Sequence, residues 1–326
     1  MTLTVLIAGG SKGTGLEAAR QLAAKGGNII LIARDPQRLR DAIEYVKAGA
    51  LSPETQRFHF IAADLTSNEA CANVIAQSAD WNNGLPPDVV WCFAGSSHPS
   101  LFIETDPAQL KAQMDSNYFS NAYMAHAALR SWLKTGQNLK DEEVLAKAGK
   151  PLARHIIFTS SFLALYPIAG YAPYSPSKAA LRTLSDTLSQ ELNLYATANP
   201  HLPSIRVHTL FPATIYSEAY EVENRIKSDV TKMLEETDEG QTPEVVARKC
   251  IQGLESGNEL VTSDFLTRFV LSTTIGASKR GGFLQALVDW ILGCLGLLIM
   301  VFVRQDMDRK VRNWGKLHGD SGMRSQ

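Results

Sequence analysis

Residues 3–23 read LTVLIAGGSKGTGLEAARQLA, and the fold follows from them. The uncharged run LTVLIA has the pattern of a buried strand, and beyond the turn the apolar residues recur at helical spacing. Between the two, AGGSKGTG at residues 8–15 places Gly9, Gly13 and Gly15 in a G-x-x-x-G-x-G array. The first glycine permits a tight turn, the second lets backbone approach a pyrophosphate, and the third lets the helix pack against the strand. The unpaired N–H groups and the dipole at the helix start attract phosphate. Ser11 and Lys12 lie in the same turn and join the glycines as candidate cofactor contacts. A glycine-rich turn also occurs in unrelated sheets, so its meaning rests on what surrounds it.

Outward from this stretch, short apolar runs alternate with helical patterns. IILIA, FHFIAA, DVVWCFA, HIIFTS and IRVHTLF follow the first strand, with helices expected near residues 14–26, 36–48, 67–79, 106–133 and 173–196. A helix from about Pro243 precedes the strand ELVTS. This succession predicts an α/β fold, a doubly wound parallel sheet (Rossmann fold) with helices on both faces. Strand order should reverse beside the first strand and open a crevice there. Residues 134–153, rich in Lys, Asp, Glu and Gly, read as a solvated insertion. Residues 215–240 follow the sixth strand and read as a mobile substrate lid. The expected organisation is a catalytic domain over residues 1–263 and an apolar C-terminal extension over 264–326.

Composition narrows the function. With 326 residues, 45% hydrophobic and 20% charged, the chain can bury one large core. A formal net charge of −1, without a basic stripe beside a nucleic-acid motif, argues against nucleic acid as a partner. Cys71, Cys92, Cys250 and Cys294 lack CxxC or Cys/His ligand spacing, which predicts free thiols, a reducing cytosolic setting and no metal. The opening MTLTVLIAGG has no basic n-region or cleavage site and reads as a strand rather than a secretory leader.

The second strand ends IILIARD, residues 29–35, where a dinucleotide lacking a 2′-phosphate usually meets an acid. Ala33 and Arg34 occupy the tip instead. Asp35 is a rival that could hold a ribose, but Arg34 precedes it, Lys12 stands in the glycine turn, and Arg38 follows one helical turn on. Such cations suit the phosphate, so the predicted cofactor is NADPH. Taken alone, Arg34 and Arg38 read equally well as a solvated helix start.

YSPSK at residues 174–178 sets Tyr174 and Lys178 four apart on a helix, hence on one face, with Ser161 thirteen residues upstream. A free phenol has a pKa of about 10, and the Lys178 ammonium with an oxidised nicotinamide should lower it. Tyr174 would then protonate the oxygen of a ketone receiving hydride, while Ser161 hydrogen-bonds the developing oxyanion. Ser160 is the neighbouring rival, and strand alternation should turn its side chain away. These residues do not separate a long-chain lipid ketone from a steroid, a retinoid or an acyl thioester. A cofactor-sensing binding protein without turnover is the alternative from another class.

Taken in order, the glycine turn, Asp64, the alanine and glycine of CFAG at 92–95, Asn117, Ser161, Tyr174 and Lys178 resemble the short-chain dehydrogenase/reductase family over about residues 3–263. The resemblance implies Asp64 and Leu65 near adenine, and Ala94 and Gly95 along the cofactor ribose. It implies Tyr174 and Lys178 against the cofactor as well as the carbonyl, and Asn117, inside the long fourth helix, organising a water relay to the lysine. Ile215 would offer backbone to the nicotinamide amide. A homodimer or homotetramer is implied as well. Two positions depart from the family pattern: Ala8, where Thr is common, and FPAT at 211–214, where Pro-Gly is usual. The GGSxGxG turn, the helix ALRTLSDTLSQEL and the apolar extension resemble a narrower branch that reduces a long-chain sphingoid ketone at the endoplasmic reticulum.

Residues 283–303, FLQALVDWILGCLGLLIMVFV, are apolar apart from Gln285 and Asp289. A span needs about 20 apolar residues, and this stretch barely reaches that. Arg268, Lys279 and Arg280 precede it and Arg304, Arg309, Lys310 and Arg312 follow. Positive charge on both sides suits an interfacial or re-entrant segment better than an oriented span, and a subunit-interface helix is the alternative. The expected partners are a long-chain ketone lipid and a membrane surface, at the cytosolic face of the endoplasmic reticulum.

Overall fold

Five consecutive buried residues make β1 (Thr4–Ala8), and six apolar-rich positions make β2 (Asn28–Ala33). They pair in parallel, with Val5 opposite Ile29 and Ile7 opposite Leu31. Strands covered on both faces read as unbroken apolar runs rather than as alternation, which is why these two were legible. β3 (Phe58–Ala62) adds to β2, and β4 (Val89–Cys92) pairs with the other edge of β1. With β5 (Arg154–Thr159), β6 (Ile205–Phe211) and β7 (Leu260–Thr262), the sheet has the order 3-2-1-4-5-6-7. The order reverses between β1 and β4, the expected switch point.

This computed structural model describes residues 3–138 and 153–324. Its helices are α1 (Gly13–Ala23), α2 (Pro36–Lys47), α3 (Asn68–Trp81), α4 (Pro107–Met114), α5 (Ser120–Asn138), α6 (Ser175–Ala198), α7 (Glu218–Ile226), α8 (Asp229–Leu234), α9 (Pro243–Glu255), α10 (Phe265–Thr273) and α11 (Phe283–His318). Several starts are fixed by side chains that accept a backbone N–H: Asp35, Ser67, Ser217, Thr242 and Asp264. Pro36 and Pro243 each open a helix, where a missing N–H costs nothing.

The chain forms two compact units. The first comprises residues 1–95, 115–159 and 183–209, and the second residues 96–114, 160–182 and 210–326. In the first, Trp91, Trp132 and Phe158 are fully buried among the strand side chains. The Trp132 indole N–H donates to the Pro87 carbonyl at 2.8 Å, satisfying its one polar group. In the second, Leu165, Phe211, Val270, Leu271 and Ile275 form a cluster against which Phe162, Tyr166 and Met300 pack.

Three expectations change. The helix foreseen over 106–133 is broken by a π-turn, Asp115–Phe119, between α4 and α5. The segment 215–240, expected as a mobile loop, holds two helices, α7 and α8, because Ser217 caps the first and Val230, Thr231 and Leu234 are buried. The apolar tail continues as one helix to His318. Of the insertion expected at 134–153, residues 134–138 extend α5 and 139–152 lie outside the described residues.

On β5 and β6, His155 and His208 stack with ring centroids 5.2 Å apart, and Nδ1 of the first lies 2.9 Å from Nε2 of the second. Burial, the His208 ring and Arg206 push the His155 pKa down to about 4. An unfolded histidine titrates near 6.5, so between those values the unfolded chain holds a proton that the folded chain refuses. Neutral His155 therefore contributes its full stability above pH ~6.5 and loses it as pH falls toward about 4. Since His155 is only partly buried, the effect should be on the order of 1–2 kcal/mol. Urea unfolding at pH 7 and pH 4.5 should show this loss, and His155→Gln should lose less between the same two values.

Candidate active site

The glycine turn in the first unit is built from close approaches. Gly9 has φ +90°, and a Cβ there would lie 2.7 Å from the Ala94 amide nitrogen. A Cβ on Gly15 would strike the Gly9 carbonyl oxygen. Gly13 has φ +58° with open space around it, so its need is conformational rather than steric. Lys12, the N-cap of α1, makes no side-chain capping bond, which leaves the helix start uncapped by its own N-cap residue. Ser11 is half-buried and Lys12 exposed in this turn. A tight backbone cradle at an uncapped helix start fits a pyrophosphate.

At the end of β2, Arg34 is exposed. Asp35 is engaged as the N-cap of α2, its carboxylate accepting from the Gln37 and Arg38 amides at 2.9 and 3.2 Å. Arg38 Nε lies 3.7 Å from the same carboxylate. Asp64 follows β3 and accepts from the Thr66 amide and hydroxyl at 3.0 and 2.9 Å. Those bonds, with a smaller contribution from Arg34, hold its pKa below the ordinary value. Leu65 is buried, Ala94 is half-buried and Gly95 exposed beyond β4.

Asn117 lies fully buried in the π-turn, a geometry that recurs at functional positions in helices. The sequence reading missed its neighbour. Asn121 Nδ2 donates to the Asn117 carbonyl at 2.6 Å and to the Ala94 carbonyl at 3.1 Å, tying the π-turn to the end of β4. The signal was present as two asparagines four apart on a helix.

In the second unit, Tyr174 ends the loop before α6 and Lys178 falls one turn later, its amide donating to the Tyr174 carbonyl at 3.3 Å. The Tyr171 carbonyl accepts from the Tyr174 and Ser175 amides and so opens the helix. Pro176 sits in the first turn, where it is tolerated. Lys178 is buried, with Nζ 5.8 Å from the Tyr174 ring centroid. Ser161 hydrogen-bonds the Tyr174 phenol. Ser160 Oγ donates instead to the Lys178 carbonyl at 2.7 Å, so the two serines are divided as strand alternation requires. Burial raises the phenol pKa above the ordinary value, the Ser161 bond opposes this, and the Glu223 charge adds to the rise.

Glu223 belongs to a cluster that the sequence did not reveal. The Tyr171 hydroxyl donates to Glu223 at 2.5 Å and to Glu235 at 2.7 Å. Lys227 Nζ, on a side chain only 1% exposed, lies 2.5 Å from Glu235 and 3.3 Å from Glu223. The Tyr171 and Tyr174 ring centroids are 6.0 Å apart, so α7 and α8 reach Tyr174 through this cluster. Burial opposes the Lys227 charge, yet the two glutamates hold its pKa above the ordinary value. Further along the chain, Ile215 bridges to Gln241 in parallel through Thr214 O and Tyr216 N, which turns its own amide and carbonyl to the other side.

Replacing Lys227 by Met leaves two half-buried carboxylates facing one another. Removing one partner of a buried ion pair costs about 3–5 kcal/mol. Urea denaturation should register a loss of that size in Lys227→Met, against a small change in Lys232→Met, whose partner pair is solvated.

The short chain dehydrogenase family model matches residues 3–226. The 3-ketodihydrosphingosine reductase ksrA of Aspergillus fumigatus is 42% identical over 324 residues, covering 97% of this chain and 85% of the relative. The 3-ketodihydrosphingosine reductase gsl-3 of Neurospora crassa is 41% identical, covering 97% and 83%. Among solved structures, a short-chain dehydrogenase from Streptomyces avermitilis superposes with TM-score 0.64 at 21% identity, covering 84% of this chain and 93% of its own. One from Sphingobium yanoikuyae in complex with NADPH gives 0.61 at 20% identity, covering 80% and 87%. The chain is an oxidoreductase and belongs to the short-chain dehydrogenase family.

Proposed function

We propose that the protein reduces 3-ketodihydrosphingosine to dihydrosphingosine with NADPH. The observation that carries the chemistry is the Ser161 hydrogen bond to the Tyr174 phenol with Lys178 one helical turn away. The substrate follows the 42%-identical relative, whose match runs nearly the whole chain. A bound nicotinamide supplies hydride, and the rest of the reduction falls to side chains of this protein. Ser161 donates to the oxygen as it gains charge, an interaction worth about 2.7–4 kcal/mol in comparable oxyanion sites. Tyr174 then gives that oxygen a proton. Burial keeps the phenol protonated at neutral pH, which suits this direction, since an alkoxide is a stronger base than a phenolate. Lys178 steadies the phenolate left behind, and Asn117 organises the water that reprotonates it. Ser160 fixes the turn carrying Lys178 and takes no part in the chemistry.

For the cofactor, the turn residues Gly9, Ser11, Lys12, Gly13 and Gly15 would take the pyrophosphate. Arg34 and Arg38 would take the 2′-phosphate. NADPH is favoured over NADH because Asp35, the one acid at the strand tip, is occupied capping α2. Asp64 and Leu65 would border adenine, Ala94 and Gly95 the ribose, and Ile215 the nicotinamide amide. The α7–α8 pair is the lid over the substrate. We place the enzyme at the cytosolic face of the endoplasmic reticulum membrane, in keeping with its branch resemblance and its apolar tail.

NADPH oxidation with detergent-dispersed 3-ketodihydrosphingosine tests the assignment. Turnover should be lost in Tyr174→Phe, whereas turnover only with a steroid ketone, retinal or an acetoacetyl thioester would discard the substrate and keep the mechanism. Arg34→Ala should lower kcat/KM for NADPH about 10-fold, the loss of one charge-assisted contact, and leave NADH nearly unaffected. In the reverse direction Tyr174 must be deprotonated, so dihydrosphingosine oxidation should rise with pH. Because Glu223 raises the phenol pKa, Glu223→Gln should move that rise to lower pH.

A further inference from the structure

We propose that α11 does not cross a membrane but lies along the second unit, with its apolar outer face sunk in one leaflet of a bilayer. This rests on the membrane reading above and makes it specific. Length alone would permit a span: residues 283–303 rise about 31 Å at 1.5 Å per residue, close to a hydrocarbon core of about 30 Å. The inner face argues otherwise. Asp289, Gly293, Gly296, Met300 and Trp314 lie on one helical stripe, and each is docked. Asp289 is buried and accepts from Arg268 of α10 at 2.6 Å. A Cβ on Gly293 would lie 2.9 Å from the Ser272 carbonyl, and one on Gly296 would strike Thr273. Met300 packs on the Leu165, Phe211 and Val270 cluster. Farther on, Arg304, Met307, Asp308 and Val311 line a groove shared with residues 166–169 and Leu234.

The chain after the helix returns to the same unit. Trp314 is buried, with its indole N–H donating to the Ser321 carbonyl at 2.9 Å. The Gly322 carbonyl accepts from the Val230 amide at 3.0 Å, and the Arg324 amide donates to Asp229 at 3.1 Å. Both ends of the apolar stretch are therefore fastened to one body. A span would have to release this stripe and carry Asp289 into hydrocarbon without Arg268.

The outer face is apolar and broad. Trp290, Ile291, Leu298 and Phe302 are exposed on α11, with Phe265 and Leu266 on α10. Charge selects the occupant. Residues 265–316 carry eight basic side chains against three acidic ones, in a chain whose net charge is −1. An in-plane helix bracketed by such charge suits an anionic leaflet. A second copy across a two-fold axis, with the helices antiparallel, would set Lys279 and Arg280 against the Arg304–Arg312 stretch of its partner, like against like. Since Met300 and Phe162 pack on one cluster and Phe162 follows Ser161, the submerged helix stands close to the proposed oxyanion donor.

Of the four cysteines only Cys294 is exposed, and it lies within the submerged stretch. The full-length protein, labelled there with an environment-sensitive maleimide dye, is added to sealed phosphatidylcholine–phosphatidylserine vesicles. The emission should rise at least twofold and be quenched more by shallow than by deep spin-labelled lipids. In Cys294→Ala carrying Met323→Cys, an impermeant maleimide added outside should label as fast as in detergent. Protection of position 323 by sealed vesicles would mean a span and overturn the proposal. A dye response before lipid is added that fades on dilution would mean a second copy, and no response to vesicles would mean no bilayer contact; either overturns it. None of these readouts uses turnover, so they stand apart from any failure of the reductase assignment.

Discussion

Lys227 places an ammonium where almost no water reaches it, and the second unit is arranged around the cost of doing so. A buried charge is tolerated only when it is paired and hydrogen-bonded, and here Glu223 and Glu235 provide both. Their remaining acceptor capacity goes to the Tyr171 hydroxyl, which brings a third segment into the arrangement. Tyr171 in turn accepts the Tyr174 and Ser175 amides through its carbonyl, so the same residue that ties α7 to α8 also sets where α6 begins. The packing of α7 on α8 and the position of the phenol are therefore one structural problem.

That coupling has an electrostatic consequence. Glu223 raises the Tyr174 pKa, and burial raises it more. Both work against a tyrosine acting as a resting base and favour one that waits protonated. Under the roles proposed above a reductase gains from this, because its tyrosine must hold a proton until hydride has been delivered. The Ser160 hydroxyl donates to the Lys178 carbonyl, while its neighbour Ser161 hydrogen-bonds the phenol. Adjacent residues on extended backbone face opposite ways, so a serine pair can serve anchoring and chemistry at once.

The sequence made the sheet and the switch point legible because doubly buried parallel strands write themselves as unbroken apolar runs, and the glycine turn shows itself through Gly9 and Gly15, where a Cβ would collide, and Gly13, which takes a positive φ. The Tyr174 to Lys178 spacing was legible because helical periodicity fixes it. What was lost depended on burial. Glu223 and Lys227 are four apart at the end of α7, a spacing that ordinarily marks a solvated surface pair. Nothing local says that Glu235 and Tyr171 will enclose them. The break in the long helix at Asn117 was hidden for a related reason: a π-turn changes hydrogen-bond partners without needing a proline or glycine to announce it.

The tail shows the same limit in its sharpest form. Hydropathy sums over a window and so cannot tell a helix apolar on all sides from one whose inner stripe is made of Asp289, Gly293 and Gly296. Two glycines in such a run look like neutral interruptions, yet they are where α10 comes close enough that a side chain would collide. Asp289 looks like a flaw in a span, yet it is the residue that fixes the register of α11 on α10 through Arg268. A small residue and a charge on one stripe describe a helix built to rest against protein, and the apolar residues on the opposite side then describe what the rest of it faces. Read together they account for a stretch that is long enough to cross a bilayer and is nonetheless held along α10.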